Sequence, residues 1–192
     1  MVEFSCYLNG YEARCWEDLR DEWLEAERSG FDGCWICDNA CGPFTGYSHI
    51  QTWDPYIHLA AMAAITTRLR LGILVTPVQR RIPGVLAKMT SSLDHVSNGR
   101  LNVGIGACDL PNLLEPYGVK FEKGPVRVAQ MCEYIDALKL LWTEEAATYQ
   151  GEFYLLKDAY NNKKPHQKPH PPITIGIYAR TKLMPIAAAK YA

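Results

Sequence analysis

Residues 69–107, LRLGILVTPVQRRIPGVLAKMTSSLDHVSNGRLNVGIGA, decide the fold. Residues 70–75 form a short apolar run bounded by Thr76-Pro77. Pro83 can open a helix at its first position, where a missing N–H costs nothing. Val85, Leu86, Met89, Leu93 and Val96 then recur at helical spacing. Asn98-Gly99 ends the helix, because both residues tolerate the left-handed conformation. Residues 101–105 make a second strand. Both strands are apolar at nearly every position, the pattern of parallel strands covered on both faces. The stretch is one βαβ unit.

The same alternation extends outward in both directions. Upstream, residues 2–8 read as a strand, and Trp16, Leu19, Trp23 and Ala26 mark an amphipathic helix ending at Ser29-Gly30. Residues 31–37 form the next strand, and a loop rich in Gly, Pro and aromatics follows over 41–52. Asp54-Pro55 opens a helix that runs to Thr67, with an acidic cap and proline at the first position. Downstream, Val128, Met131, Tyr134, Ile135, Leu138, Leu141 and Trp142 give one apolar helical stripe. Residues 148–155 resemble a hairpin turning at Gln150-Gly151. The Pro-rich segment 161–172 reads as a solvated extended connection. Residues 173–177 are a fifth strand of the main series, and 182–192 start another helix. Such alternation means a parallel sheet flanked by helices, either an open doubly wound sheet or a barrel. Ligands then gather at the carboxyl ends of the strands. The positions to inspect are 9–11, 38–46, 76–81, 108–112 and 176–181.

The 192 residues have a formal net charge of −1, and the signs are mixed along the chain. That balance argues against a nucleic-acid surface. The N-terminus has neither signal-peptide nor anchor character, and no apolar run is long enough for a bilayer, so a cytoplasmic protein is expected. The seven cysteines are odd in number and scattered, which speaks against a disulfide framework. Cys34, Cys37 and Cys41 suggest a metal or thiol-redox module. Against that, Cys34 and Cys37 are three apart in a strand and point to opposite faces. Buried thiols acting as small hydrophobes account for them more simply. His95 reads as structural, on the side away from the strand ends, and His49 as a weak candidate for a pocket wall.

Several motifs together carry a family resemblance. They include Glu27 with Gly30-Phe31-Asp32, the helix beginning at His58 followed by Thr67-Arg68-Leu69-Arg70-Leu71-Gly72, and Leu93-Asp94-His95-Val96-Ser97-Asn98-Gly99-Arg100-Leu101. Gly104-Ile105-Gly106-Ala107, Tyr117-Gly118-Val119 and Pro171-Pro172-Ile173 continue the series. In this order and spacing the chain resembles the luciferase-like monooxygenase superfamily, nearest its branch of oxidoreductases that use coenzyme F-420. The resemblance implies a (β/α)8 TIM barrel, with residues 1–192 a single domain holding about five of the eight βα units. It implies an incomplete barrel that lacks the C-terminal strands, since a closed one takes roughly 250 residues. It also implies coenzyme F-420, or alternatively FMN, hydride transfer at the C5 or N5 position, a small organic substrate, and usually homodimers.

Carried over by position, the resemblance offers Asp109 and Asn39 as catalytic candidates. Asn39 stands where relatives often have His. Its amide can hydrogen-bond a flavin edge but cannot exchange a proton near neutral pH. Asp109 is the remaining carboxylate for proton transfer, with a loop cap as its plainer role. Asp38, Thr76, Pro77, Ala107, Cys108, Gly176, Ile177 and Arg180 are the cofactor-binding candidates. Asp38 is equally a partner for loop N–H groups. Cys108 replaces a glycine that would allow close approach to a ligand. The phosphate loop after the fifth strand keeps only Gly176 of a glycine-rich run, with Arg180 and Lys182 as charges. Thr76-Pro77 match the region that backs the isoalloxazine face in the family, often through a non-prolyl cis peptide. Two further readings stand beside the enzyme: a non-catalytic remnant whose open edges need a partner chain, and the cysteine module.

Overall fold

A computed structural model describes residues 2–8, 15–39, 52–177 and 182–192. The main strands are β1 (Ser5–Tyr7), β2 (Gly33–Ile36), β3 (Arg70–Ile73), β4 (Thr76–Pro77), β5 (Leu101–Gly106) and, after the hairpin β6 (Ala146–Gln150) and β7 (Leu155–Tyr160), β8 (Ile173–Ile175). The helices are α1 (Trp16–Arg28), α2 (Pro55–Ile65), α3 (Pro83–Val96), α4 (Gly124–Thr143) and α5 (Leu183–Tyr191). The sheet runs β1-β2-β3-β5-β8, with every pairing parallel. Strand order therefore follows chain order and never reverses. Right-handed crossovers then put all the helices on one face, and each of α1 to α4 packs against the next helix in the chain. That arrangement is an arc of a barrel and excludes a doubly wound sheet, which has helices on both faces.

Where periodicity predicts one strand over 70–75, the structure has two pieces. β3 pairs with β5 at Leu71 and Gly72, and β4 pairs with β5 at Ile105 and Gly106. Between them, Leu74-Val75 is a cis peptide bond without proline. Leu71 and Ile73 remain fully buried, so the interruption changes the backbone path and not the core pattern.

Local chemistry explains the elements. Asp54 caps α2 by accepting from the N–H groups of Tyr56 and Ile57, both at 3.0 Å, and Pro55 fills the first position, where no N–H is needed. Pro83 does the same for α3. The end of α3 turns through Asn98 (φ 52°) and Gly99 (φ 78°), as Asn-Gly allows. Leu19, Trp23 and Ala26 are the buried face of α1, and α4 contributes Met131, Tyr134, Ile135, Leu138, Leu141 and Trp142 to the core.

The end of the sheet opposite the strand tips is tied by charge-assisted bonds. The Glu27 carboxylate accepts from the N–H groups of Thr67, Arg68 and Leu69 at 2.9, 2.6 and 3.1 Å. Burial pushes this carboxyl up, but those N–H bonds and Arg100 hold it below its usual value. Arg100 donates to the carbonyls of Ala63, Thr66, Leu69 and Ser97, which satisfies the end of α2.

Two connections differ from expectation. The hairpin turn spans residues 151–154, so β7 starts where the sequence pattern ends the hairpin. Glu133 of α4 holds this turn, accepting from the N–H groups of Glu152 and Phe153 at 2.9 Å each. Segment 161–172 is pinned to the body and is not a solvated loop. Asn161 is buried and donates to Ser91. Gln167 donates its backbone and side-chain N–H groups to buried Asp94 at 2.7 Å each. His95 Nε2 lies 2.8 Å from the Lys164 carbonyl, in a structural position.

Candidate functional site

The carboxyl ends of β1, β2, β4, β5 and β8 surround a cleft of about 780 Å³. The interrupted strand builds its floor. Leu74, Val75 and Pro77 line it from one side, Gly106 and Ala107 from the next strand, and Gly176 and Ile177 from β8. Val75 sits beside three glycines. A Cβ on Gly106 would stand 2.4 Å from Val75 Cγ2, one on Gly176 2.8 Å from the same atom, and one on Gly104 3.3 Å from Cγ1. At Gly104 the nearest atom is the Ile73 carbonyl oxygen, so Gly106 and Gly176 are the two that make room for Val75, and with Leu74 and Pro77 it makes the floor apolar.

Tyr7, Cys37 and Asn39 form one wall. The other wall comes from 108–113 and the start of α4, with Leu110, Leu113, Gly124, Pro125, Arg127 and Val128. Leu183 and Met184 of α5 complete the lining. Asp109 and Arg127 are its charged side chains among the described residues. The Arg127 guanidinium stacks 3.9 Å from the centre of the Phe121 ring and donates to the Cys108 carbonyl. Its Nε is buried without a partner. Arg127 thus fixes the turn that carries Cys108 and Asp109, and it brings a positive charge to the first turn of α4. That end of the helix already carries partial positive charge, and no side chain caps it.

Cys108 has φ of 60°, where a Cβ is disfavoured. Burial pushes its thiol above the usual pKa.

Most of the candidates from the sequence meet at this cleft. Asn39, Pro77, Ala107, Cys108, Asp109, Gly176 and Ile177 all line it. Asp38 and Thr76 lie behind the wall, fully buried. Asp38 accepts from Arg80 Nη1 at 2.7 Å and from Arg81, which also reaches Asp54 at 3.0 Å. Among the described residues its partners are therefore two guanidinium groups, and the loop over 40–51 lies outside them. Thr76 Oγ1 is 2.7 Å from the Tyr56 hydroxyl. Both support the strand ends from beneath. Arg180, Cys41, His49 and residues 9–11 lie outside the described residues.

Sequence reasoning missed Arg127, Leu113, Tyr7 and the residues of α5, and it placed Cys37 in a cysteine module and not in the cleft wall. Arg127 carries a usable signal: it stands in the first turn of a helix opened by Gly124-Pro125, after a connection from a strand end. Among the described residues no group of three or more His, Cys, Asp or Glu is placed to hold a metal. Cys34 is buried beside Cys6, and Cys37 faces the cleft.

A family model described as luciferase-like monooxygenase matches residues 5–191. The chain is 37% identical over 134 residues to an uncharacterized protein of Mycobacterium tuberculosis, covering 70% of this chain and 46% of that one. It is 35% identical over 152 residues to an F-420-dependent glucose-6-phosphate dehydrogenase of Kineococcus radiotolerans, covering 78% and 44%. The coenzyme F-420-dependent tetrahydromethanopterin reductase of Methanopyrus kandleri superposes with a TM-score of 0.82 at 21% identity, over 100% of this chain and 54% of that one. The chain spans about half the length of the curated relatives it matches.

Proposed function

The chain belongs to the luciferase-like monooxygenase family, and on that premise we propose that its cleft holds coenzyme F-420, with FMN as the alternative, for hydride exchange with a small organic molecule. The observation that carries this is the floor. An apolar surface, made by Leu74, Val75 and Pro77 beside Gly106 and Gly176, suits a flat fused ring. The volume of about 780 Å³ falls in the range of cofactor sites. Relatives named for F-420 dependence at 35% identity favour the deazaflavin.

Such a cofactor, when bound, gives or takes a hydride at C5 or N5. The chain's own residues then have distinct tasks. Leu74, Val75 and Pro77 support one face of the ring and keep water from it. Asn39 offers an amide for a polar ring edge. Arg127 and the start of α4 offer positive charge to the anionic tail. Asp109, exposed and among the lining residues, would move a proton to or from the substrate, and a positioned carboxylate of this kind contributes about 10²–10⁴ in rate.

Hydrogen exchange of the 192-residue chain with and without F-420 or FMN tests this. Slowed exchange at 74–77, 106–110 and 124–128 supports it. Unchanged exchange there with both cofactors at saturating concentration overturns it.

One observation favours a second reading. Among the described strands β1 pairs only with β2, and β8 only with β5. Val2, Phe4 and Tyr7 are exposed at the first edge, and Ile177, Leu183 and Ile186 near the other. Open apolar edges of this kind seek further strands. In this reading the chain is a non-catalytic half of a barrel that docks with another polypeptide. Its mass in solution, alone and with a polypeptide of three βα units, separates the two.

A further inference from the structure

β1 and β2 carry a pair of thiols that the cleft chemistry does not use. Cys6 and Cys34 are register partners on adjacent parallel strands. Neighbouring strands lie about 4.8 Å apart, inside the span of about 4.4–6.8 Å between Cα atoms that a disulfide bridges. Register partners also point to the same face. The two sulfurs are 2.9 Å apart, closer than two thiols pack by dispersion alone. Cys34 is fully buried in the core and Cys6 is partly exposed. Cys15, Cys37, Cys108 and Cys132 have no cysteine neighbour among the described contacts, and all six described cysteines are free.

We propose that Cys6 and Cys34 form a redox modification site, in which a hydroperoxide oxidises Cys6 and Cys34 then closes a disulfide between β1 and β2. The order follows from access. The Cys6 thiolate attacks the peroxide, the O–O bond breaks, and Cys6 becomes a sulfenic acid while an alcohol or water leaves. The Cys34 sulfur next attacks the Cys6 sulfur, the S–O bond breaks, and the Cys34 proton leaves with the oxygen as water. Two thiols lose two electrons in total and the peroxide gains them. Burial holds the Cys34 thiol well above its usual pKa, so it is not the first to react, and its contact with the Cys6 sulfur is what makes it the resolving group.

The site has a structural consequence. β1 has three residues and, among the described strands, one neighbour, and the residue after Cys6 is Tyr7, which lines the cleft. The disulfide closes a loop across residues 28 apart in sequence and fixes the edge strand that presents Tyr7. Oxidation therefore tightens one wall of the cleft without touching its floor.

The test treats the folded 192-residue chain with hydrogen peroxide or an alkyl hydroperoxide, then blocks free thiols and maps the peptides. A Cys6–Cys34 crosslink is expected in at least about tenfold excess over any other pair, reversed by dithiothreitol. Amide exchange at 5–8 is expected to slow by about tenfold on oxidation. The same treatment in urea should scramble the pairing, which shows that the fold selects it. Cys34→Ala should leave Cys6 as a sulfenic acid trapped by dimedone, and Cys6→Ser should abolish the crosslink while its Tm confirms folding. Trapping of Cys6 sulfenic acid in the unaltered chain without the crosslink overturns the proposal. So does preferential pairing of either cysteine with another.

Discussion

At Cys108 the backbone takes φ of 60°, a conformation that costs an L side chain about 1–2 kcal/mol. Cys108→Gly is expected to hold or raise stability, by up to about 1 kcal/mol in urea denaturation, while Cys108→Ala keeps the strain and gives no gain. Gly106 poses the opposite case. Gly106→Ala drives a methyl to 2.4 Å from Val75 Cγ2. The side chain must shift into the cleft, so a loss of about 1–3 kcal/mol is expected, together with weaker F-420 binding. Gly84 in the first turn of α3 has nothing within 4 Å. Gly84→Ala should stabilise by up to about 1 kcal/mol and leave binding unchanged, which makes it the control. Topology sends strand ends to the site and so marked the windows 38–46, 108–112 and 176–181, while the family resemblance singled out Asn39, Asp109 and Gly176 within them. Val75 was not singled out, because its apolar character fits a strand interior as well as a cleft floor. Only the glycines across from it reveal the difference.

The strand tips rest on a buried ionic element. Asp38 at the end of β2 pairs with Arg80 and Arg81, and Arg81 reaches on to Asp54 at the start of α2. Removing one partner from such a set leaves uncompensated buried charge. Asp38→Ala should therefore cost about 3–5 kcal/mol, read as a shift of the urea midpoint at constant slope. Exposed Arg28–Glu25 on α1 should contribute well under 1 kcal/mol when broken. The helices were legible element by element, since caps and apolar stripes are local signals. The break between β3 and β4 was not, because a two-residue strand has no periodicity to detect. The role of Asp38 was hidden for a related reason. Its arginine partners lie 42 and 43 positions away, and no local pattern announces such a contact.

Across the whole molecule, the parallel arc was legible from strict alternation, and the motif series pointed to the barrel family. The anchoring of 161–172 was not, because proline and lysine content looks the same in a free loop and in one pinned through Gln167 to Asp94. Global stability carries a pH signature from His58. It is buried, its Nε2 has no partner, and its ring meets Trp23 at 5.8 Å. Burial lowers its pKa from 6.5 to about 4. The folded chain therefore keeps it neutral, while the unfolded chain takes up a proton below its own, higher pKa. Stability from this group is complete above about pH 6.5 and falls as pH drops toward 4, by up to about 3 kcal/mol. His58→Leu should flatten that slope in urea titrations run from pH 4 to 7. The central claim concerns the cleft as a cofactor site, and equilibrium titration of the 192-residue chain with coenzyme F-420 and with FMN, followed by their fluorescence, tests it most directly. Saturable binding of one F-420 per chain, displaced by FMN and weakened about tenfold or more in Arg127→Ala, is the predicted result. A linear, unsaturated response to both cofactors would contradict it.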